Sequence, residues 1–160
     1  MRLVFILLFL VQVKVPFAQS KAFEDKTWKR AVLKTVRTSN FDYLEKVLLT
    51  RDAIVNLQLL EEQKAKLLML YNSSFSSARD LFDKQMTTQR NIGLNNKKVI
   101  IIEMRILNEP GESKKQLFIQ VVAARKKYIF RFPNCYIYNE KILTTGEVEV
   151  QLIPELSNGR

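Results

Sequence analysis

The hydrophobic period of the chain changes near residue 98. Before that point apolar side chains recur every three or four positions, and after it they alternate. Residues 23–90 contain neither proline nor glycine. Phe23, Trp28, Ala31, Val32 and Val36 predict a first short helix. Ser39 is the predicted N-cap of a second, with Phe41, Leu44, Val47 and Leu48 on one side, and Thr50 caps a further segment through Asp52 and Ile54. Leu60, Leu67, Leu68, Tyr71, Phe75, Ala78 and Phe82 then follow a 3.6-residue period. Residues 72–77 are poor in helix formers, so two helices meeting at residues 71–74 are expected. Gly93 closes the helical part because it reaches a left-handed cap cheaply.

In VIIIEMRIL the alternation puts Ile100, Ile102, Met104 and Ile106 on one face and Glu103 and Arg105 on the other. Pro110-Gly111 predicts a type II turn. LFIQVVAA is apolar on both sides and reads as a central strand, and Arg125-Lys126-Lys127 closes the next hairpin. Tyr128, Phe130 and Phe132 share a face of the third strand, where Pro133 marks a bulge or an edge. Asn139-Glu140 is a tight turn, and GEVEVQL turns Val148, Val150 and Leu152 inward. Helices followed by short-linked strands predict an α+β fold, with N-terminal helices packed on a curved four-stranded antiparallel meander sheet.

The first twenty residues change the setting. MRLVFILLFLVQVKVPFAQS has an early charge at Arg2, an apolar run over residues 3–13 and a small-residue end, the order of a secretory signal peptide cleaved near Ala18-Ser20. Such a run is too short for ~30 Å of hydrocarbon. Residues 21–153 are then one domain and residues 154–160 a loose tail. A single cysteine in an exported chain suits a bacterial periplasmic or extracellular protein better than a disulfide-built module.

The full chain carries 26 basic and 16 acidic residues; removal of Arg2 and Lys14 with the leader leaves 24 minus 16, or +8. That excess permits weak contact with anionic surfaces, whereas export and the scatter of the basic residues argue against nucleic acid.

The order of elements, with a helix ending near NIGL before a strand and a meander, resembles the nuclear transport factor two-like superfold. The stretch KKYIFRFPNCYIYNEKILTTGEVEV is similar to the closing hairpin of small exported bacterial proteins of uncharacterised function. The resemblance implies a cystatin-like, cone-shaped roll, a fold shared by cyclase-like and isomerase-like enzymes and by binding modules, so it does not fix the activity. Those enzymes commonly use histidine, aspartate or tyrosine inside the cone. Here histidine is absent, and no catalytic position can be carried over.

Chemistry is weighed against packing on the same terms. Cys135 has no histidine to generate its thiolate, so it reads as a small buried hydrophobe. One cysteine and no histidine leave no transition-metal site, and no Asp-rich calcium loop occurs, so no cofactor or metal is expected. Asp80 and Asp83 beside Arg79 and Lys84, and Glu61-Glu62 ahead of Lys64 and Lys66, read as solvated charged faces. Aromatic residues remain as candidates: Tyr71, Phe75, Phe82, Tyr128 and Phe130 are the expected lining of a pocket between helix and sheet, with plain core as the competing reading.

Three functions follow in order. The first is a non-catalytic binding or scaffold module of the bacterial envelope, holding a small apolar ligand or a protein partner. The second is a cyclase-like or isomerase-like enzyme working with carboxylates and tyrosines. The third is a basic adaptor for anionic envelope glycans or lipids.

Overall fold

In a computed structural model the described residues are 20–91, 93–94, 96–108 and 112–154, with the backbone alone described for Ser20, Lys21, Ser74, Phe75, Ser76 and Asn96. The expected signal peptide except Ser20, the Pro110-Gly111 turn and all but the first residue of the expected tail lie outside them. The chain runs β1 (Ser20–Ala22), α1 (Lys26–Thr38), a 3-10 helix (Phe41–Val47), α2 (Arg51–Val55), α3 (Glu61–Asn91), a 3-10 turn (Asn96–Lys98), β2 (Val99–Asn108), β3 (Lys115–Ala123), β4 (Lys126–Tyr138), β5 (Lys141–Thr144) and β6 (Glu149–Ile153). This is the α+β class, with helices on one face of an antiparallel sheet.

Local chemistry sets the helix ends. The Asp25 carboxylate accepts from the amides of Thr27 (2.6 Å) and Trp28 (3.2 Å), which starts α1; Phe23 therefore precedes the helix instead of opening it, and its amide donates to Met104 O. Ser39 ends α1 in the left-handed region (φ 51°), and Asn40, not Ser39, caps the 3-10 helix through the Asp42 amide. Thr50 caps α2 as expected, accepting from Ala53 N at 3.2 Å. At α3 the Gln63 side chain accepts from the Leu60 amide, half of a capping box, and Leu60 itself is exposed.

The expected break at residues 71–74 does not occur, and α3 is one helix of 31 residues, about 46 Å long. Ser73 is accommodated because its hydroxyl donates to Met69 O at 2.8 Å within the helix. At the far end Gly93 N donates to Arg90 O and Leu94 N to Gln89 O, a Schellman closure that needs the positive φ (104°) of Gly93.

Among the described residues the sheet has six strands, two more than expected. Its order is β1-β2-β3-β4-β5, with β6 also beside β4, so the last strand skips its sequence neighbour. Two bulges explain the shape. Ile102 is an extra residue between the pairs Ile101↔Val121 and Glu103↔Gln120, which reverses the side-chain phase. Val99 is buried and Ile101 packs on the core, then Met104 and Ile106 do so, while Ile100 and Ile102 are 59% and 52% exposed on the outer face, against the expected alternation. The second bulge lies at Pro133, as its missing N–H suggests: Leu117 pairs with Phe132 but Lys115 with Cys135. Beyond it β4 changes partner, pairing with β6 over residues 127–131 and with β5 over residues 135–138. The hairpin between β3 and β4 turns at Ala124-Arg125, one residue ahead of the expected Arg-Lys-Lys, and Asn139-Glu140 forms the next turn as expected.

The helices cover the inner face. Trp28, Val32, Val36, Phe41, Leu44, Phe82 and Met86 pack with Leu117, Ile119, Val121, Tyr128, Phe130 and Phe132 in a main core. Trp28 meets Phe132 edge-on at 5.1 Å and donates Nε1–H to Ile142 O at 2.9 Å. Gln85 and Gln89 of α3 treat Val150 as a neighbouring strand would, accepting from its N–H (2.6 Å) and donating to its C=O (3.1 Å). A second, smaller cluster joins Leu49, Ala53, Ile54, Leu57, Leu67 and Leu143, with Tyr71, Tyr136 and Tyr138 packed against it.

Candidate functional site

The segment Thr144-Thr145-Gly146-Glu147-Val148 alternates between core and cavity. Thr144, Gly146 and Val148 are buried. Gly146 has φ +92°, and a Cβ there would stand 3.1 Å from Phe41 Cζ and 3.2 Å from Leu48 Cδ2, so only glycine lets the chain pass so close to the helices. Its neighbours Thr145 and Glu147 consequently line the other side, a cavity of about 80 Å3.

The walls of this cavity come from four places. Leu49 and Ile54 belong to α2 and its approach, Leu67, Leu70 and Tyr71 to α3, Asn134 and Tyr136 to β4 beyond its bulge, and Thr145 and Glu147 to the link into β6. Asn134 donates its side-chain amide to Glu147 Oε2 and accepts the Thr145 N–H on its backbone carbonyl (3.1 Å). The Thr145 hydroxyl is buried without a hydrogen-bond partner among the described residues. One end of the cavity is thus polar and the rest apolar, the composition of a ligand site.

Beside the cavity, sharing its Leu67, Leu70 and Tyr136, lies a groove of about 690 Å3 that also runs along Leu59 and is rimmed by Gln58, Gln63, Lys66, Glu112, Ser113 and Lys114. A further recess of about 440 Å3 lies over Leu57, Leu59, Ile137 and Tyr138. Tyr136 borders all three spaces. Burial pushes its phenol up, Lys114 pulling the other way while Glu112 and Glu147 reinforce the rise.

Of the residues proposed for a pocket from sequence, Tyr71 lines the cavity. Phe82, Tyr128 and Phe130 sit together in the main core, each at most 1% exposed, and line none of the three recesses. The Phe75 side chain lies outside the described residues. Sequence reasoning missed Asn134, Tyr136, Thr145 and Glu147. Asn134 and Tyr136 follow the Pro133 bulge, and Thr145 and Glu147 flank a glycine, which were the available signals.

Cys135 lies between two cavity residues yet points the opposite way. It is fully buried in the main core, its thiol reaches Phe132 O at 3.7 Å, and burial pushes the thiol up to about 12. A thiol held so firmly protonated is packing, and not a nucleophile at neutral pH. Tyr128 is also buried, with its hydroxyl unpartnered among the described residues and its phenol raised by burial. Among the described residues no group of three or more His, Cys, Asp or Glu could hold a metal ion, and no helix is long and apolar enough to cross a membrane.

The fold and groove define a helix-backed α+β protein with an apolar recess ending in a carboxylate. Comparisons with protein-family models, with curated proteins and with solved structures returned no match for the chain.

Proposed function

We propose that the protein is an exported, non-catalytic binding module of the bacterial envelope that holds a small apolar ligand in the groove between α3 and the β4–β5 hairpin. Placement in the nuclear transport factor two-like superfold belongs to the same proposal. The observation that carries it is that the inner cavity and the open groove share Leu67, Leu70 and Tyr136 as walls. Apolar walls with a few convergent polar groups are what a ligand pocket needs. Leu60 and Leu70 remain 72% and 50% exposed beside it, surface that a bound apolar molecule would cover. Filled packing at Phe82, Tyr128 and Phe130 directs the ligand to this end of the helix and not to the centre of the sheet.

Nile red, a neutral dye that brightens in apolar surroundings, tests the reading. The folded protein is expected to bind it, and Tyr136→Ala and the fold-sparing surface change Leu70→Asp should each weaken binding at least fivefold. Absence of dye binding, or binding indifferent to both changes, overturns the proposal. Export is checked separately: expressed with its leader in a bacterium, the protein should be recovered from the periplasm with a mass that places the cut near Ala18-Ser20.

A further inference from the structure

Resting on that binding reading, we propose that the inner cavity selects its ligand by charge and accepts a primary ammonium on a short aliphatic stem. Among the described residues Glu147 is the one carboxylate that lines the cavity, and no lysine or arginine lines it. It forms no ion pair with any described residue; its partner is the neutral Asn134 amide. The cations of the outer groove have anions of their own, Lys66 with Glu62 at 2.7 Å and Lys114 with Glu112 at 3.2 Å.

An ionised carboxylate accepts about four hydrogen bonds, so one amide leaves most of its capacity open. Thr145 also lines this cavity, and its buried hydroxyl has no hydrogen-bond partner among the described residues. An ammonium supplies three donors and a compact positive charge, matching both acceptors at once. Tyr71 and Tyr136 among the walls are ring types that attract a cation. A carboxylate ligand would instead face Glu147 at close range in a partly dry site, where like charges repel strongly.

Size limits the stem. A cavity needs ~10–15 Å3 to hold one water, and one of ~150 Å3 holds benzene. At about 80 Å3 this cavity takes roughly four carbons before the ligand must extend into the groove. The basic surface makes the inference discriminating. With a net charge of +10 the whole molecule repels cations at long range, so a preference for ammonium has to come from the groups lining the cavity, the carboxylate foremost.

The experiment compares three ligands of equal tail length, n-butylammonium, n-butanol and n-butyrate, by amide NMR titration of the full chain at neutral pH. Butylammonium should shift the amides of Thr145, Glu147 and Tyr136 and bind at least tenfold more tightly than butanol, with butyrate weaker than both. Glu147→Gln should abolish the preference of butylammonium over butanol. Thr145→Val, which keeps the carboxylate, should reduce it partway and serves if the glutamine variant does not fold. Equal binding of the three ligands, a preference undiminished by Glu147→Gln, or no shifts at these amides overturns the inference. Should Nile red still occupy the groove of the unaltered protein, charge selection alone has failed; if the dye also fails, the binding reading falls with it.

Discussion

At the scale of single residues, Gly146 and Cys135 show how much of the site is set by what lies behind it. Gly146 turns the chain with a positive φ while touching Phe41 and Leu48, so a methyl group there meets both backbone strain and a packed wall. Gly146→Ala should cost about 2–4 kcal/mol, the sum expected for an unfavourable left-handed residue and an overfilled core, and urea unfolding measures it. Because Thr145 and Glu147 are aimed by this turn, ligand binding in the variant should weaken as well. Cys135 makes a pH prediction. Its thiol is raised from 9.0 to about 12 in the folded protein, so above pH 9 the unfolded chain releases a proton that the folded chain keeps. Raising the pH therefore favours unfolding: the contribution is intact below pH 9 and drains away as the pH climbs towards 12, at up to about 1.4 kcal/mol per pH unit. Tyr128 and Tyr136, both raised by burial from 10.0, act in the same direction about one pH unit higher, so the thiol dominates the onset of the loss near pH 9. Cys135→Ala should flatten the stability curve there. In the native protein the thiol should also resist a disulfide reagent until denaturant is added, and rapid native labelling would contradict its burial.

At the scale of elements, the two tight hairpins differ in how well their residues suit them. Both central residues have positive φ in each, Ala124 (51°) and Arg125 (68°) in one, Asn139 (46°) and Glu140 (60°) in the other. That is the type I′ pattern, for which Asn-Gly is favoured. Alanine and arginine pay about 1–2 kcal/mol each for this region, so replacing Ala124-Arg125 by Asn-Gly should stabilise the protein by about 1 kcal/mol, a rise of a few degrees in thermal midpoint. A fall in midpoint would mean that the β3–β4 register depends on those two side chains. The contrast explains which elements were legible. Asn139-Glu140, the Thr50 cap, the Gly93 closure and the Pro133 bulge announce themselves because one residue type solves a local backbone problem. Ile102 announces nothing, since four consecutive apolar residues at 99–102 fit either phase and only pairing with β3 selects one. Likewise residues 72–77 read as a break because propensity is local, whereas α3 is held straight through by packing at Leu67 on one side and Ala78, Phe82 and Met86 on the other. The contacts of Gln85 and Gln89 with Val150 cross more than sixty residues and leave no local trace.

At the scale of the whole molecule, α3 joins two apolar clusters of very unequal size, and the candidate site belongs to the smaller. The main cluster contains buried residues from α1, the 3-10 helix, α3 and five strands, whereas the second has six, drawn from α2, its flanks, Leu67 and Leu143. Sequence pattern located aromatic residues but could not say which cluster each would join, so Phe82, Tyr128 and Phe130 went to the large core while Tyr71 reached the cavity. Stability should be divided in the same way. Burial contributes roughly 1.5–3 kcal/mol per large aliphatic side chain, and a six-residue cluster beside an open groove has little to set against the entropy of ordering α2 and the start of α3. Local opening of this part is therefore expected well below the global unfolding free energy. Native-state hydrogen exchange measures it directly. Amides of α2 and of residues 65–71 should exchange with opening free energies at least ~2 kcal/mol below those of residues 117–121 and 128–132, and with a weaker dependence on denaturant. A groove ligand should slow the first set, because binding to the closed form adds its free energy to every opening that destroys the groove, global unfolding included. Equal opening energies and equal denaturant slopes across both sets would make the two clusters one cooperative unit, and the groove would then be a rigid feature of the fold, without a separately ordered mouth.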